Sequence, residues 1–518
     1  MTSLVSSRLH DVVIAGAGPV GLFLACELAL ARLDVLVLER DAHPQAPLKA
    51  PPLGTRGLSV ATGEAFHRRG LLDDLLVAAT SARGPATGAP RKAQAGHFAG
   101  IPIDPARIDL SGWKYGLPNP ASSHFAADMG SVESVLAARA VALGVDIRRG
   151  VPVTGLTDHG EEVVVRAGEL AFRARWLVGC DGGRSAVRKL AGFEFLGTEP
   201  EFTAYSALVD IADPHKLSPG RNPTPTGFYM NEPGRLAIAD FDGGAFDRSQ
   251  PVTLDHLQAV LRRVSGTDVT LSRVHLATTF TDRARLAATY RKGRVLLAGD
   301  AAHIHSALGG QGLNAGLGDA MNLGWKLAAT VRGTAPAGLL DTYEAERRPV
   351  GQWLLDWTRA QVAIMRPGPH ARALEGVVRD LAATSDGATY FAEQLWGLSL
   401  RYDLGGDHPL VGRSAPDLEF DDGHRLASQL RDGLAVLVDF GGSESLRHAV
   451  AGWRDRITIV SGGAKDRLGL AALLVRPDGF VAWAVDENAA VGDVEHALLR
   501  WLGSPTPVVP VGGRPRVG

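Results

Sequence analysis

Residues 12–21 read Val-Val-Ile-Ala-Gly-Ala-Gly-Pro-Val-Gly, and this stretch decides the fold. Its apolar run predicts a buried strand over 11–16, and the residues from Pro19 predict a helix over 19–32. A second apolar run at 34–39 predicts the next strand. A strand, a helix and a parallel strand in succession form the βαβ unit of a doubly wound α/β domain.

The glycine spacing of this turn predicts a nucleotide site. Gly16 permits the tight bend, Gly18 lets backbone N–H groups approach a pyrophosphate, and Gly21 lets the helix pack closely on the strand. Glu39 ends the second predicted strand, where its carboxylate can accept hydrogen bonds from ribose hydroxyls. The alternative is a purely structural turn with Glu39 in solvent. The candidate contacts are Gly16, Gly18, Pro19, Val20, Gly21, Glu39 and Arg40.

A second segment, far along the chain, completes this site. Residues 295–303 read Val-Leu-Leu-Ala-Gly-Asp-Ala-Ala-His. Asp300 follows an apolar strand and can bond ligand hydroxyls, and the predicted helix 312–332 offers its N-terminus to negative charge. Two such distant pieces indicate FAD as an integral cofactor, although a helix cap without ligand is the alternative. The candidate contacts here are Gly299, Asp300, Gly310, Gln311, Gly312, Leu313 and Asn314.

A third piece, Cys180-Asp181-Gly182-Gly183-Arg184, leads into a short predicted helix. Asp181 is a candidate for contact with the cofactor or with transient NAD(P)H. An aspartate that only caps a helix joining two domains explains the same residues equally well, so both interpretations stay open.

Length and composition limit the classes of protein to which the chain can belong. The chain has 518 residues, which predicts two or three domains, and its formal net charge is −2, which argues against nucleic acid or anionic membrane as the main partner. Its two cysteines indicate a reducing cytoplasm and argue against a disulfide scaffold or a Cys-based zinc site. We see no signal peptide and no run of about 18 apolar residues, so we expect a soluble, cytoplasmic protein.

The three motifs in this order resemble those of the class A flavoprotein aromatic hydroxylases related to para-hydroxybenzoate hydroxylase. The chain looks most like the branch that includes phenol hydroxylase and the bacterial aromatic-polyketide hydroxylases. Its end, beyond residue 400, is similar to the C-terminal thioredoxin-like domain of that branch. The tracts that carry the resemblance are 301–303, 309–314, 322–328, 343–349 and 473–483.

The resemblance implies an α/β fold with three parts. A Rossmann-like FAD-binding domain is expected over 1–85, 115–189 and 283–400. A mostly antiparallel substrate-binding domain is inserted into it over 86–114 and 190–282, where short apolar runs between Pro and Gly breaks also predict a sheet with one helix near 254–264. A thioredoxin-like domain over 401–503 has no CxxC, which excludes disulfide exchange, and 504–518 is expected to be a flexible tail.

The resemblance also implies the reaction. In this family NAD(P)H reduces FAD, O₂ adds to the flavin, and the flavin C4a-hydroperoxide hydroxylates an electron-rich ring. We therefore expect an NADPH- or NADH-using monooxygenase, monomeric or homodimeric, acting on a polycyclic phenolic substrate of polyketide type. Two alternatives stay open: a Baeyer–Villiger or antibiotic-inactivating monooxygenase on the same fold, and a flavin-bound binding module without turnover.

Several residues depart from the family pattern or are harder to assign. Ser306-Ala307 stands where relatives usually carry Pro, and Met129 where they often place Gln near the ribityl chain. Arg56 is either the flavin-facing arginine or a surface arginine.

Other candidates concern the substrate and metals. Aromatic side chains are expected in a substrate pocket, with core packing as the alternative: Trp113, Phe228, Tyr229 and Phe241. His303-Ile304-His305 has no third ligand nearby in the sequence, so no metal site is expected. We identify no catalytic base, because the flavin carries the difficult chemistry.

Overall fold

A computed structural model describes residues 4–83, 95–117, 119–487 and 494–506. Residues 84–94, at the end of the first predicted FAD-domain segment and the start of the predicted middle domain, and residues 507–518 of the predicted tail lie outside the described residues. Within the described ranges, no helix is long and apolar enough to cross a membrane.

The helices, in chain order, are α1 (Pro19–Leu30), α2 (Val60–Arg68), α3 (Leu72–Arg83), α4 (Met129–Ala142), α5 (Ala186–Leu190), α6 (Leu254–Ser265), α7 (Gly312–Arg332), α8 (Asp341–Met365), α9 (Pro369–Ala382), α10 (Ser385–Trp396), α11 (Leu426–Gln429), α12 (Glu444–Ala449) and α13 (Val494–Leu502). The strands are β1 (Leu4–Ala15), β2 (Val35–Glu39), β3 (Thr55–Leu58), β4 (His97–Phe98), β5 (Ile101–Pro102), β6 (Phe125–Asp128), β7 (Asp146–Arg149), β8 (Gly155–Asp158), β9 (Val163–Ala167), β10 (Leu170–Gly179), β11 (Phe195–Thr198), β12 (Thr203–Ile211), β13 (Gly220–Pro223), β14 (Gly227–Glu232), β15 (Arg235–Asp240), β16 (Leu271–Thr281), β17 (Ala284–Ala287), β18 (Arg291–Lys292), β19 (Val295–Leu297), β20 (His303–Ile304), β21 (Ala435–Asp439), β22 (Ile457–Ser461), β23 (Leu470–Val475) and β24 (Val481–Asp486).

The parallel sheet that the first motif predicts is present. Strands β19, β10, β1, β2 and β7 lie side by side and pair in parallel. The sheet is covered by helices that include α1, α4 and α7, so its strands are buried and read as continuous apolar runs. The predicted strands at 11–16 and 34–39 and the helices at 19–32 and 312–332 are therefore confirmed, to within a few residues except where β1 begins earlier.

The middle of the chain forms a five-stranded antiparallel sheet in the order β13-β14-β15-β12-β16. Helix α6 packs on one face and confirms the helix predicted near 254–264. Thr253 caps its first turn and Gly266 ends it in the left-handed conformation. Residues of α8 and α10 pack against the other face. The residue limits given for the three domains stay predictions.

The C-terminal part is a four-stranded mixed sheet, β22-β21-β23-β24, with its own hydrophobic core. The structure divides the stretch 473–483 between β23 and β24, at a turn where Gly479 N donates to Arg476 O (2.8 Å). Pro477 has no N–H for a strand ladder and Gly479 has φ +84°, so this sequence favours a hairpin.

A buried cluster of charges joins the C-terminal core to α7 and α8. Glu346 on α8 accepts two hydrogen bonds from Arg476 (2.9 and 2.8 Å), and Lys326 Nζ lies 2.9 Å from the same carboxylate. Burial alone would raise the pKa of Glu346. The positive charges of Arg476 and Lys326 outweigh burial and lower this pKa to about 2. The carboxylate therefore stays charged and binds the two parts together.

We predict that Glu346→Ala destabilises the protein by about 3–5 kcal/mol, because it removes the carboxylate that pairs with buried Lys326 and one of the two carboxylates that pair with buried Arg476. Chemical denaturation of both forms measures this. In the native protein the contribution of Glu346 is complete above its ordinary pKa of 4.5 and is lost as pH falls towards about 2. Asp356→Ala, on the exposed side of the same helix, is the control and should change stability by less than about 0.5 kcal/mol. Equal losses in the two variants would contradict the prediction.

Candidate functional site

Three turns meet at the carboxyl edge of the parallel sheet. The turn at Gly16 follows β1, Asp181 follows β10, and Asp300 follows β19. These strands are neighbours, and Cys180 N donates to Ala15 O (2.8 Å) just where the first two turns begin. The carboxyl edge is where open parallel sheets bind ligands, so the fold brings all three predicted motifs to one place.

Val20 connects the first turn to the second. A Cβ built on Gly299 would lie 3.0 Å from a methyl carbon of Val20, and one on Gly316 would lie 2.6 Å from the same methyl. Val20 therefore packs directly on the backbone of the Gly299 turn and of α7. The two segments that the sequence separates by almost three hundred residues are in contact.

The three glycines of the first turn differ in the space that a side chain would have: Gly16 and Gly21 have none, and Gly18 has open space. A Cβ on Gly16, which has φ +106°, would lie 2.4 Å from Cys180 O, and one on Gly21 would lie 2.0 Å from Gly16 O. Both glycines are therefore required by the protein itself. A Cβ on Gly18 would have no atom of the described residues within 4 Å beyond its chain neighbours, and Gly18 N-caps α1. This open space at a helix N-terminus is the right place for a pyrophosphate.

The acid at the end of β2 supports the first turn. Glu39 accepts hydrogen bonds from Ala17 N (2.7 Å) and Asp41 N (2.9 Å), so it is not simply solvated. Each carboxylate oxygen retains a free lone pair that can accept a ribose hydroxyl. Arg40 points outwards, with its side chain 68% exposed, and lies 3.5 Å from Asp41.

Asp181 caps the helix that follows it. Its Oδ2 accepts from Ala186 N (2.6 Å) and Val187 N (3.1 Å), at the start of α5. This is the capping alternative, and the structure favours it. The other oxygen, Oδ1, is buried and has no hydrogen-bond partner among the described residues, so it remains available to a ligand donor.

Arg56 is half-buried. Its Nη1 donates to Leu53 O and Thr55 O (both 2.9 Å). Burial is the main cause that lowers the Arg56 pKa, the charge of Arg235 adds to it, and the charge of Asp300 opposes it. The Arg56 guanidinium is thus close enough to both Asp300 and Arg235 for their charges to act on it. Asp300 itself is exposed.

The start of α7 is only partly as expected. Gly310 has φ +67° and leads into Gln311, the N-cap residue, which makes no side-chain cap and leaves the first N–H groups of the helix available. We expected the Asn314 amide to bond a ligand. Instead its Oδ1 accepts from Ser59 N (2.9 Å) and its Nδ2 donates to Gly57 O (3.0 Å), so this side chain holds β3 against α7.

Two of the remaining cofactor candidates, Gly312 and Leu313, lie at this helix start, and Met129 lies at the start of α4. A Cβ on Gly312 would lie 2.7 Å from His305 Nε2 and 3.7 Å from an oxygen of Asp300, so these three residues are neighbours. Leu313 is half-buried and packs against the main core. Met129 begins α4, and its N–H donates to Gly54 O (3.1 Å).

The aromatic candidates do not share one pocket. Phe228 and Tyr229 are consecutive on β14 and point to opposite faces of the sheet. Tyr229 is buried beside α6, which is the core-packing alternative and corrects the expectation for this residue. Phe228 and Phe241 lie on the other face, in contact with the cluster that includes Leu308.

Trp113 lies elsewhere, in the wall of a cavity of about 920 Å³. This cavity runs between α2, α7, α10 and the C-terminal part, and Tyr115, Trp353 and Trp396 also line it. Gln311 reaches the same cavity, so the cavity adjoins the start of α7.

Sequence reasoning missed the buried ion pairs behind the site. Asp319 on α7 accepts from Gly299 N (2.9 Å) and pairs with His303 Nε2 (2.8 Å) and Arg347 Nε (2.7 Å). A charged residue on the apolar face of a helix was the signal that could have found it. Among the described residues, no group of three or more His, Cys, Asp or Glu side chains is arranged to hold a metal ion.

Comparisons with known proteins identify relatives over nearly the whole chain. A family model described as "FAD binding domain" matches residues 10–358, and one described as "Aromatic-ring hydroxylase, C-terminal" matches 408–505. A monooxygenase of Claviceps purpurea is 48% identical over 96% of this chain and 99% of its own length. A rifampicin monooxygenase of Streptomyces venezuelae is 38% identical over 96% of this chain and 100% of its own.

A solved structure extends the likeness to the fold. The anhydrotetracycline hydroxylase OxyS from Streptomyces rimosus superposes with a TM-score of 0.84 at 37% identity, over 96% of this chain and 100% of its own. The Rossmann-like domain, the inserted antiparallel sheet and the thioredoxin-like end are those of this family. The chain belongs to the FAD-dependent aromatic-ring hydroxylase family and is an FAD-dependent aromatic monooxygenase.

Proposed function

We propose that the protein uses NADPH or NADH to hydroxylate a polycyclic phenolic substrate of polyketide type. The observation that carries this proposal is the likeness to an anhydrotetracycline hydroxylase over nearly the whole of both chains, which includes the middle sheet. NAD(P)H is the expected reductant because the family resemblance implies it. Transient binding of the nicotinamide agrees with the single dinucleotide-type glycine turn, which we assign to FAD.

FAD fits the residues at the sheet edge. The N–H groups beside Gly18 would hold the pyrophosphate and Glu39 the ribose, and Asp300 would accept from ribityl hydroxyls. The start of α7, from Gly310 to Leu313, would stabilise negative charge on the reduced ring. When bound, FAD supplies the electron transfer from NAD(P)H and the activation of O₂.

The substrate would lie between the middle sheet and Arg56. Phe241 and Leu308, which are only partly buried beside this sheet, offer an apolar and partly aromatic surface there, which suits a flat ring system. Arg56 and Arg235 are close enough for each charge to affect the other. Two cations favour the phenolate over the phenol, and a phenolate is more electron-rich and more readily attacked by an electrophilic oxygen.

A second candidate function is modification of a finished antibiotic, by hydroxylation or by Baeyer–Villiger insertion. The likeness to a rifampicin monooxygenase over the full length of both chains favours it. The residues proposed to hold FAD would be the same. The two functions differ only in the substrate that fits beside Arg56 and in where the oxygen is placed.

We predict that Gly18→Ala lowers the affinity for FAD about tenfold or more, which corresponds to about 1.4 kcal/mol. A methyl group there meets no protein atom of the described residues but enters the space assigned to the pyrophosphate. Titration of the apoprotein with FAD, followed by fluorescence, measures the change. Gly376→Ala is the matched control, because a Cβ there is equally free of contacts but lies on α9. The assignment fails if both variants bind FAD equally well, or if Gly18→Ala instead unfolds the protein.

We predict that NADPH oxidation in air quickens in the presence of tetracyclic phenols, and that the product contains one atom from isotopically labelled O₂. Mass spectrometry after mild base treatment separates the outcomes, because a lactone from Baeyer–Villiger insertion takes up water and a new phenol does not. A panel of anthracyclinone, angucyclinone, tetracycline and rifamycin compounds tests both candidate functions. Absence of substrate-stimulated NADPH and NADH oxidation across the panel would contradict both and favour a flavin-bound binding module.

A further inference from the structure

A continuous chain of buried hydrogen bonds runs from the C-terminal core to the Gly299–Asp300 turn. Arg347 Nη1 donates to the Tyr402 hydroxyl (2.9 Å), and Arg347 Nε donates to Asp319 Oδ1 (2.7 Å). The other carboxylate oxygen of Asp319 accepts from Gly299 N (2.9 Å). The three side chains are 4%, 2% and 1% exposed, so water does not compete for these bonds.

The middle of this chain of bonds has little freedom to move. Arg347 Nη2 also donates to Ala315 O (2.8 Å) on α7, and a Cβ on Gly318 would lie 2.9 Å from the same nitrogen. The Arg347 guanidinium thus packs directly on the backbone of α7, at a position where Gly318 has no side chain. Burial acts to raise the pKa of Asp319, but the charges of Arg347 and His303 outweigh it and lower this pKa. An ionised Asp319 makes its bond to Gly299 N a strong, charge-assisted one.

Tyr402, where this series of hydrogen bonds ends, is held by contacts within the C-terminal part. Tyr402 N donates to Gly412 O (2.8 Å), and the Tyr402 ring lies 4.3 Å from the ring of Phe480. The guanidinium of Arg476 lies 5.7 Å from the Tyr402 ring. The position of the Tyr402 hydroxyl therefore depends on how the C-terminal domain docks.

The other end of this series of hydrogen bonds, at Gly299, lies beside the proposed flavin site. Gly299 has φ +61°, which is only one of several backbone conformations that a glycine can adopt. Its N–H donates to Asp319, and this bond favours the observed conformation. The next residue is Asp300. A small rotation at Gly299 would turn the Asp300 carboxylate away from the ribityl chain.

We propose that Tyr402 is a positioning residue for FAD. Through Arg347 and Asp319, docking of the C-terminal domain holds the Gly299–Asp300 turn in the conformation that binds the ribityl chain. This inference rests on the proposed FAD site at Asp300. It gives the C-terminal domain, which has no CxxC, a role at a cofactor that Tyr402 itself does not touch.

Thermodynamic linkage supplies a second consequence. If docking of the C-terminal domain strengthens FAD binding, then FAD must strengthen that docking by the same factor. The wild-type protein can therefore be tested without any substitution.

The test compares FAD affinities of apoproteins by fluorescence titration. Tyr402→Phe removes one hydroxyl and should weaken FAD binding about fivefold or more, the lower end of ordinary coupling between sites. Asp300→Ala, at an exposed position, should weaken it about tenfold or more. Tyr115→Phe removes a hydroxyl from the same C-terminal core and should leave the affinity unchanged. The double variant Asp300→Ala/Tyr402→Phe should bind like Asp300→Ala alone, to within about twofold.

Each failure has a distinct meaning. If Asp300→Ala does not weaken FAD binding, the proposed FAD site is wrong and the inference falls with it. If Asp300→Ala weakens binding but Tyr402→Phe matches Tyr115→Phe, or if the two effects multiply in the double variant, only the inference is overturned.

The measurement on the wild-type protein covers the case in which Tyr402→Phe does not fold. Amide hydrogen exchange over residues 400–412 should slow when FAD is added to the apoprotein. Exchange over 400–412 that is the same with and without FAD overturns the inference.

Discussion

The parallel pairing of β1 with β10, and of β10 with β19, is the constraint on which the site depends. Parallel strands end at the same edge of a sheet, so the turns that follow them must be neighbours. The chain places a glycine turn, an Asp-Gly pair and a Gly-Asp pair after these three strands. Val20, in the first turn, also packs on Gly299 and so brings the first and third turns into direct contact. One sheet register therefore brings distant motifs into a single site.

The same helices that complete this edge also carry the contacts to the C-terminal domain. On α8, Glu346 pairs with Arg476, and the next residue, Arg347, bonds Asp319 and Tyr402. Buried ion pairs are costly to form and to break, so they specify one docked arrangement more than they add stability. The domain without CxxC is thus joined to the flavin domain by specific bonds, in addition to apolar contact.

The sequence predicted the elements whose signal is local. The strand and helix around Gly16, the helix near 254–264 and the helix 312–332 depend on spacing and on backbone preferences, which are visible in one segment. The bonds of Asn314 could not be predicted, because its partners include Gly57 on β3 and Ser59 at the start of α2, both far away in the sequence. Tyr229 was misassigned because the face on which a strand residue lies depends on the strand's partners. The Asp319 network joins four segments, and only the folded structure reveals it.

We propose that the turns at Gly18 and Asp300 bind opposite halves of one FAD molecule. A crystal structure of the protein reconstituted with FAD would show whether they do. We expect one FAD per chain, with its pyrophosphate at the N-terminus of α1 and its ribityl chain at Asp300. A bound FAD that leaves either turn without contact would show that these turns do not form the two halves of the cofactor site.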